Sequence, residues 1–304
     1  MTVRELALRL DQEFAVSRFA ASEPFAASLQ GLYGEGWGEF ERLTVPAFRE
    51  LGNGLLLAGG DLDAAPQAVA LAVFPSPAVV ARVLADAGEW PRQVLIVHHP
   101  AHYRADAGWQ PVPTRALASL QGAGVSVYAV HSPLDAHGRF GPSANLARAL
   151  HLNVDGPFYP TDGPASGFVG VAASPVAAVD FAPFCQRVRE TLGLPCVDAR
   201  RHSAAPVARV AVVGGGGHTL PGVLARCADA GCDTYLTGTV IERVPNERWQ
   251  QANARFLAEA AERHINLIGA SHCATEKFAL LALENYLDEA GFTVRFFGCP
   301  RPWE

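Results

Sequence analysis

Three short apolar runs in this chain stop at side chains that bind metal ions, and that arrangement limits the fold more than any other feature. Val94-Leu95-Ile96-Val97 ends at His98-His99-Pro100. Val127-Tyr128-Ala129-Val130 leads into His131-Ser132-Pro133-Leu134-Asp135-Ala136-His137, and Asn266-Leu267-Ile268-Gly269 precedes Ser271-His272-Cys273-Ala274-Thr275-Glu276. Runs of that length are the size of buried strands, and polar groups gathered at strand ends belong to layered α/β proteins whose strands point at a common cleft. Neighbouring strand residues face opposite ways. His98 and His99 therefore turn inward together only where the strand ends and the backbone bends, as Pro100 favours. His272 and Glu276, four apart at the start of a stretch of high helix propensity, share one helix face. Singly, each piece has an ordinary alternative: a hydrogen-bonded histidine pair in a loop, or an i, i+4 helix contact. Together they point to one divalent-metal site, and a mixed imidazole and carboxylate set of this size suits a catalytic or two-ion centre better than a closed structural zinc. Zinc, iron, manganese and nickel are all compatible with such donors.

The rest of the chain alternates in the same way. Strand-like Leu55–Gly59 and Ala68–Phe74, the helix Pro77–Ala87, strand Gln93–Val97, helix Thr114–Ala123, strand Ser126–Val130 and helix Ala144–Leu150 make a first β-α-β series. A second series begins near Gly167-Phe168-Val169 and runs through a helix at Phe181–Leu192, strand Ala208–Val213, helix Leu220–Ala230, strand Thr234–Thr237, helix Glu247–Arg263 and strand Ile265–Gly269. Between them, Val154–Pro164 is rich in Pro, Asp and Gly and is the expected linker. Gly214-Gly215-Gly216-Gly217 follows an expected strand and precedes a helix. It reads either as a tight turn needing unusual backbone angles or as a cradle for phosphate, with His218 and Thr219 as the side chains to test in the second case. It lacks the full dinucleotide fingerprint and the P-loop lysine.

Composition removes several function classes. A chain of 304 residues with a net charge of −6 and no basic stripe has no electrostatic reason to hold nucleic acid or an anionic membrane. No apolar stretch approaches the roughly 20 residues of a membrane span. Met1–Asp11 reads as an amphipathic helix rather than a signal peptide, so a cytoplasmic protein is expected. The six cysteines (Cys185, Cys196, Cys227, Cys232, Cys273 and Cys299) form no Cys-x-x-Cys pair, and free thiols are expected. Cys273 is singled out only because it follows His272.

The order of motifs is itself recognisable. His98-His99-Pro100, His131-Ser132-Pro133-Leu134-Asp135, the Val212–Gly217 glycine run, Thr237-Gly238 and His272–Glu276, over a region from about Asn53 to the C-terminus, resemble the Nif-three-like family, also called GTP cyclohydrolase type 2 homologues or YbgI-type dinuclear metal proteins. The resemblance implies two divalent ions held by His98, His99, Asp135, His272 and Glu276, with Glu276 bridging them; His131, where family members also carry a histidine, either orients Asp135 or serves the structure alone. It implies two interlocked α/β lobes with the site in the cleft between them: residues 1–155 joined by a returning segment 264–304, and residues 165–263. It also implies a homohexamer. Two departures stand out. Thr239 and Arg243 occupy positions where the family usually has an acidic residue and a histidine, and the residues around Asp135 and His272 are changed, so a divergent member is expected. The first fifty residues match poorly and are expected to form a cap. The implied activity is metal-dependent hydrolysis of a nucleotide or phosphate-bearing small molecule, through water acidified between two ions. No Gly-x-Ser-x-Gly nucleophile motif competes with it. The alternative is a non-catalytic metal-binding scaffold.

Overall fold

The computed structural model describes residues 1–160 and 168–299. Two α/β layers account for eleven of the thirteen described strands. In the first sheet lie β1 (Gly54–Leu57), β2 (Ala68–Ala72), β3 (Gln93–Val97), β6 (Val125–Ala129) and β13 (Val294–Phe296), in the order β1-β6-β3-β2-β13; a separate hairpin joins β4 (His102–Arg104) to β5 (Gly108–Gln110). The second sheet takes β7 (Asn153–Pro160), β8 (Phe168–Ser174), β9 (Asp198–Arg200), β10 (Val210–Val213), β11 (Thr234–Thr237) and β12 (Asn266–Gly269), in the order β7-β8-β10-β11-β12-β9. Central strands pair in parallel, β2-β3-β6 in one sheet and β10-β11-β12 in the other. Their carboxyl ends are thus aligned, which is where clefts form in such sheets.

Continuous apolar strands are needed because each sheet is covered on both faces. Leu95 and Val97 pack towards the helices Pro24–Tyr33, Pro77–Asp86 and Thr114–Gly122, whereas Val94 and Ile96 pack towards the N-terminal helix Val3–Glu13 and the last helix, His272–Glu289. In the second sheet Val210 and Val212 face Phe184 and Val188, while Ala211 and Val213 face Leu224 and Cys227. Each such fully buried aliphatic side chain stabilises the fold by roughly 1.5–3 kcal/mol. The helix His272–Glu289 belongs to both layers: Ala274 packs with the second sheet's core and Leu280, Leu283 and Leu287 with the first's. It therefore carries Glu276 between the two sheets.

Three expectations are corrected. Residues 154–160 of the expected linker are strand β7, paired antiparallel with β8; the register breaks around Gly156, Pro157 and Tyr159 absorb residues that a regular central strand would reject, as edge strands allow. The remainder of that stretch, and Gly167, lie outside the described residues. The N-terminal segment is no separable cap: Phe25, Leu29, Phe40 and Phe48 are buried in the same cluster as Leu57, Val97 and Val127. Finally, Cys273 and Cys299 are joined by a disulfide. Spacing gave no hint of it, because β13 pairs with β2 and so returns Cys299 to the start of the last helix. Cys185, Cys196, Cys227 and Cys232 are free thiols. No helix among the described residues is long and apolar enough to cross a membrane.

Candidate metal centre

His98 and His99 follow directly on β3, still guided by ladder-like bonds from their amides to the carbonyls of Ala72 and Val73 (3.2 and 3.1 Å), and both are buried. Their rings lie 4.2 Å apart, so both do point into the same space. His131 ends the run after β6, and Asp135 sits one turn later in the short helix Ser132–Asp135. His272 and Glu276 occupy the first turns of the last helix. Its N-cap, Ser271, accepts the Ala274 amide at 3.3 Å and has φ +66°, a conformation costing a non-glycine residue about 1–3 kcal/mol. Such strain is commonly kept where side-chain placement matters.

The six side chains form one cluster. Their ligand-type atoms make three groups, each within 4.8 Å: His98 with His99 and His131; His99 with His272 and Glu276; His98 with Asp135 and Glu276. Glu276 Oε1 lies 3.1 Å from His272 Nε2 and 3.6 Å from His98 Nε2, while Oε2 lies 2.9 Å from His99 Nε2. Asp135 Oδ1 is 3.3 Å from His98 Nε2.

These residues fit a metal ion on their own chemistry. His98 Nδ1 donates to the Val130 carbonyl at 2.9 Å, which leaves the lone pair on Nε2. That buried nitrogen, without a hydrogen-bond partner among the described residues, faces two carboxylates. A lone pair against two anions is unfavourable unless a cation sits among them, either a proton or a metal. In the metal-free chain the proton takes the role. Burial opposes charge on His98, but Asp135 and Glu276 overcome it and hold the imidazole well above its ordinary value. Burial likewise opposes charge on Glu276, yet His272, His99 and His98 hold the carboxyl well below the usual range. His99 is pushed well below its ordinary value, first by burial and then by the neighbouring His98.

Sequence reasoning missed two carboxylates here. Glu23 is buried and its Oε1 accepts from His131 Nδ1 at 2.9 Å; the motif Ser22-Glu23-Pro24 signals a helix start, not a site. Burial would raise the Glu23 carboxyl, but His131, then Asn53 and the Phe25 amide, bring it from 4.5 down to about 2. A carboxyl depressed in the folded state stabilises it above the unfolded pKa and loses that contribution as pH falls. Wild type is therefore expected to exceed Glu23→Gln in stability near neutral pH, on the order of 3 kcal/mol, and to converge on it as the acid range is crossed. Denaturant titrations at a series of pH values measure this; an offset that stays constant into acid would disprove a role for the carboxyl. The second is Glu242, buried, whose two oxygens both accept the Tyr103 hydroxyl at 2.8 Å; the two residues are 139 apart in sequence, and no local pattern links them.

The other expected residues are scattered around this core. Thr239 and Arg243 line a cleft of about 780 Å³ that reaches His272 and is walled also by Phe74, Tyr103, Val240 and Ile241. The side chain of His218 is buried, with Nε2 3.9 Å from Glu242 Oε2, and burial, then His272, lower it to about 4. Thr219 is exposed and its hydroxyl bonds the Gly216 carbonyl, away from the cluster. Three of the four amides of the glycine run are engaged within the chain. The amides of Gly214, Gly215 and Gly217 already donate to the hydroxyls of Ser143, Thr275 and Thr237 at 3.1, 3.0 and 3.1 Å. No α-helix starts there: a 3-10 turn follows, and the helix begins only at Val223. The glycines serve close approach instead, Gly215 (φ +72°) lying against the Glu276 carboxylate.

Two α/β sheets whose histidines and carboxylates converge in one buried cluster define an α/β protein with a candidate metal centre. The chain belongs to the Duf34/NIF3 (NGG1p interacting factor 3) family, whose model matches residues 49–300. It is 33% identical over 217 residues to the GTP cyclohydrolase 1 type 2 homolog of Pseudomonas aeruginosa, covering 69% of this chain and 76% of that protein. With the Halobacterium salinarum protein of the same name it shares 28% over 264 residues, covering 86% and 94%. The fold matches the solved structure of protein ybgI, described as of unknown function, with a TM-score of 0.71 at 21% identity over 99% of this chain and 100% of that one.

Proposed function

We propose that this protein is a dinuclear metal-dependent hydrolase acting on a nucleotide or another phosphate-bearing small molecule. The observation that carries the reading is that Glu276 is common to two three-residue groups of donor atoms, one with His98 and Asp135 and the other with His99 and His272, each within 4.8 Å. His98, Asp135 and Glu276 would hold one ion and His99, His272 and Glu276 the other. Divalent ions in such a setting supply Lewis acidity and acidify water to near neutrality.

The chain's own residues do the rest. Val130 fixes which nitrogen of His98 is free. Phe74, Val240 and Ile241 make the cleft beside His272 largely apolar, which strengthens charge interactions inside it, and its charged wall is mixed: Arg243, Asp198, and Arg104 paired with Asp106 at 2.8 Å. Tyr103 is held in place by Glu242, with its ring 5.1 Å from that of His272. The name shared by the relatives supports nucleotide ring opening as one such hydrolysis.

Metal-loaded wild type is expected to turn over at least one member of a panel of nucleotides and phosphoesters, and His99→Ala to lose that turnover by more than about 100-fold while keeping its circular dichroism spectrum. A specific feature favours a second reading, a cytoplasmic metal-binding scaffold assembled as a homohexamer: Thr239 and Arg243 stand in the cleft, and neither is a carboxylate or an imidazole. Silence across the whole panel would leave that reading in place of the hydrolase.

A further inference from the structure

The family match starts at residue 49, yet a side chain from ahead of it reaches the centre. Glu23 caps the helix Pro24–Tyr33 and is 3% exposed. Its Oε1 accepts from the Phe25 amide at 3.1 Å and from His131 Nδ1 at 2.9 Å; its Oε2 accepts from Asn53 Nδ2 at 2.9 Å and from the Ser132 amide at 3.2 Å. Asn53 completes the clamp by accepting the His131 amide at 2.6 Å. The neighbouring Phe25 lies edge-on to His131 and His99, with ring centroids 4.9 and 6.0 Å away.

A helix cap needs only the first of these contacts, and Ser, Asp or Asn would provide it equally well. The other three go to Asn53, His131 and Ser132, on two separate parts of the chain. A histidine that donates through Nδ1 carries its lone pair on Nε2. For His131, Nε2 lies 3.7 Å from Asp135 Oδ2, and the ring belongs to the group formed with His98 and His99.

We propose that Glu23 is a positioning residue of the centre: it fixes the tautomer and orientation of His131 so that Nε2 is presented, beside Asp135, towards the ion that His98, Asp135 and Glu276 would hold, making the N-terminal segment a working part of the site. The proposal rests on reading the cluster as a metal centre.

The test compares full-length wild type, Glu23→Gln and Phe40→Ala. Phe40, fully buried and stacked on Tyr33, loosens the same segment away from the centre. Imidazole nitrogen shifts of the metal-free protein, recorded at alkaline pH where the ring is neutral, report the His131 tautomer, assigned with His131→Asn, and competition with a chelator reports Co²⁺ affinity. Glu23→Gln is expected to convert His131 from one tautomer to a mixture and to weaken Co²⁺ binding by about 10–100-fold, the usual effect of removing a partner behind a ligand; Phe40→Ala is expected to lower stability and leave both readouts unchanged. Should Glu23→Gln not fold, Asn53→Ala gives the same ordering with a smaller loss. An unchanged tautomer and affinity in Glu23→Gln, or an equal loss in Phe40→Ala, overturns the proposal. Wild type that binds no Co²⁺ overturns the metal-centre reading instead, and the tautomer comparison still decides whether Glu23 orients His131.

Discussion

Glu276→Gln is expected to empty the centre of metal while leaving the chain folded. The amide occupies the same space between His272, His98 and His99 but carries no charge, and one of its two oxygens becomes a donor facing an imidazole. Both three-residue groups that contain Glu276 are damaged by the one change, so affinity should fall by more than the ~100-fold seen when only an outer partner is removed. Elemental analysis of protein purified without chelator measures it directly. A wild-type content near two ions per chain, falling to a trace in Glu276→Gln, is the expected pair of results. A variant that keeps its full metal content would mean that the carboxylate is not a ligand, and a content halved rather than abolished would mean that it serves only one ion.

Gly215→Ala should have nearly the same consequence from the opposite side of the cluster. A Cβ at residue 215 would collide with Glu276 Oε1 and come within 3.0 Å of His272 Nε2, and the backbone there has φ +72°. The left-handed conformation alone costs a non-glycine residue roughly 1–2 kcal/mol. The collision adds displacement of the carboxylate, because the loop is anchored on Thr275 and cannot simply swing away. Gly216→Ala is the control: its Cβ would meet nothing nearer than His272 Cε1 at 3.6 Å, an ordinary contact, and φ there is −84°. Metal content and thermal unfolding of the two variants should separate clearly, with Gly215→Ala losing metal and stability and Gly216→Ala close to wild type. Equal behaviour would show that the close approach of the glycine loop is not what shapes the centre.

The helices and central strands were legible in the sequence because their signals are local. Pro77–Asp86, Phe181–Leu192 and Glu247–Glu262 have helical periodicity over ten or more residues, and β3, β6 and β12 are short apolar runs buried on both faces. The His pair, Asp135 and the His272–Glu276 spacing were legible for the same reason: each is a short stretch whose strand end or helix turn dictates where the side chains point. The expected linker failed because Gly and Pro mark turns in general but are also tolerated on an edge strand with bulges, and only the pairing of β7 with β8 decides between the two. The glycine run was ambiguous because glycine permits close approach to anything. Whether the partner is a phosphate or a carboxylate depends on what the rest of the chain places there.

What the sequence determined by itself is thus the set of candidate donors, the α/β character and the family, since these rest on residue identity and short-range geometry. Only the tertiary structure decided that Glu276 faces His98, His272 and His99 at once, that Glu23 stands behind His131 across 108 residues, that Tyr103 meets Glu242 and that Cys299 returns to Cys273. Each of those contacts joins segments brought together by packing of separate layers, and no periodicity within one segment reports what another segment will be pressed against.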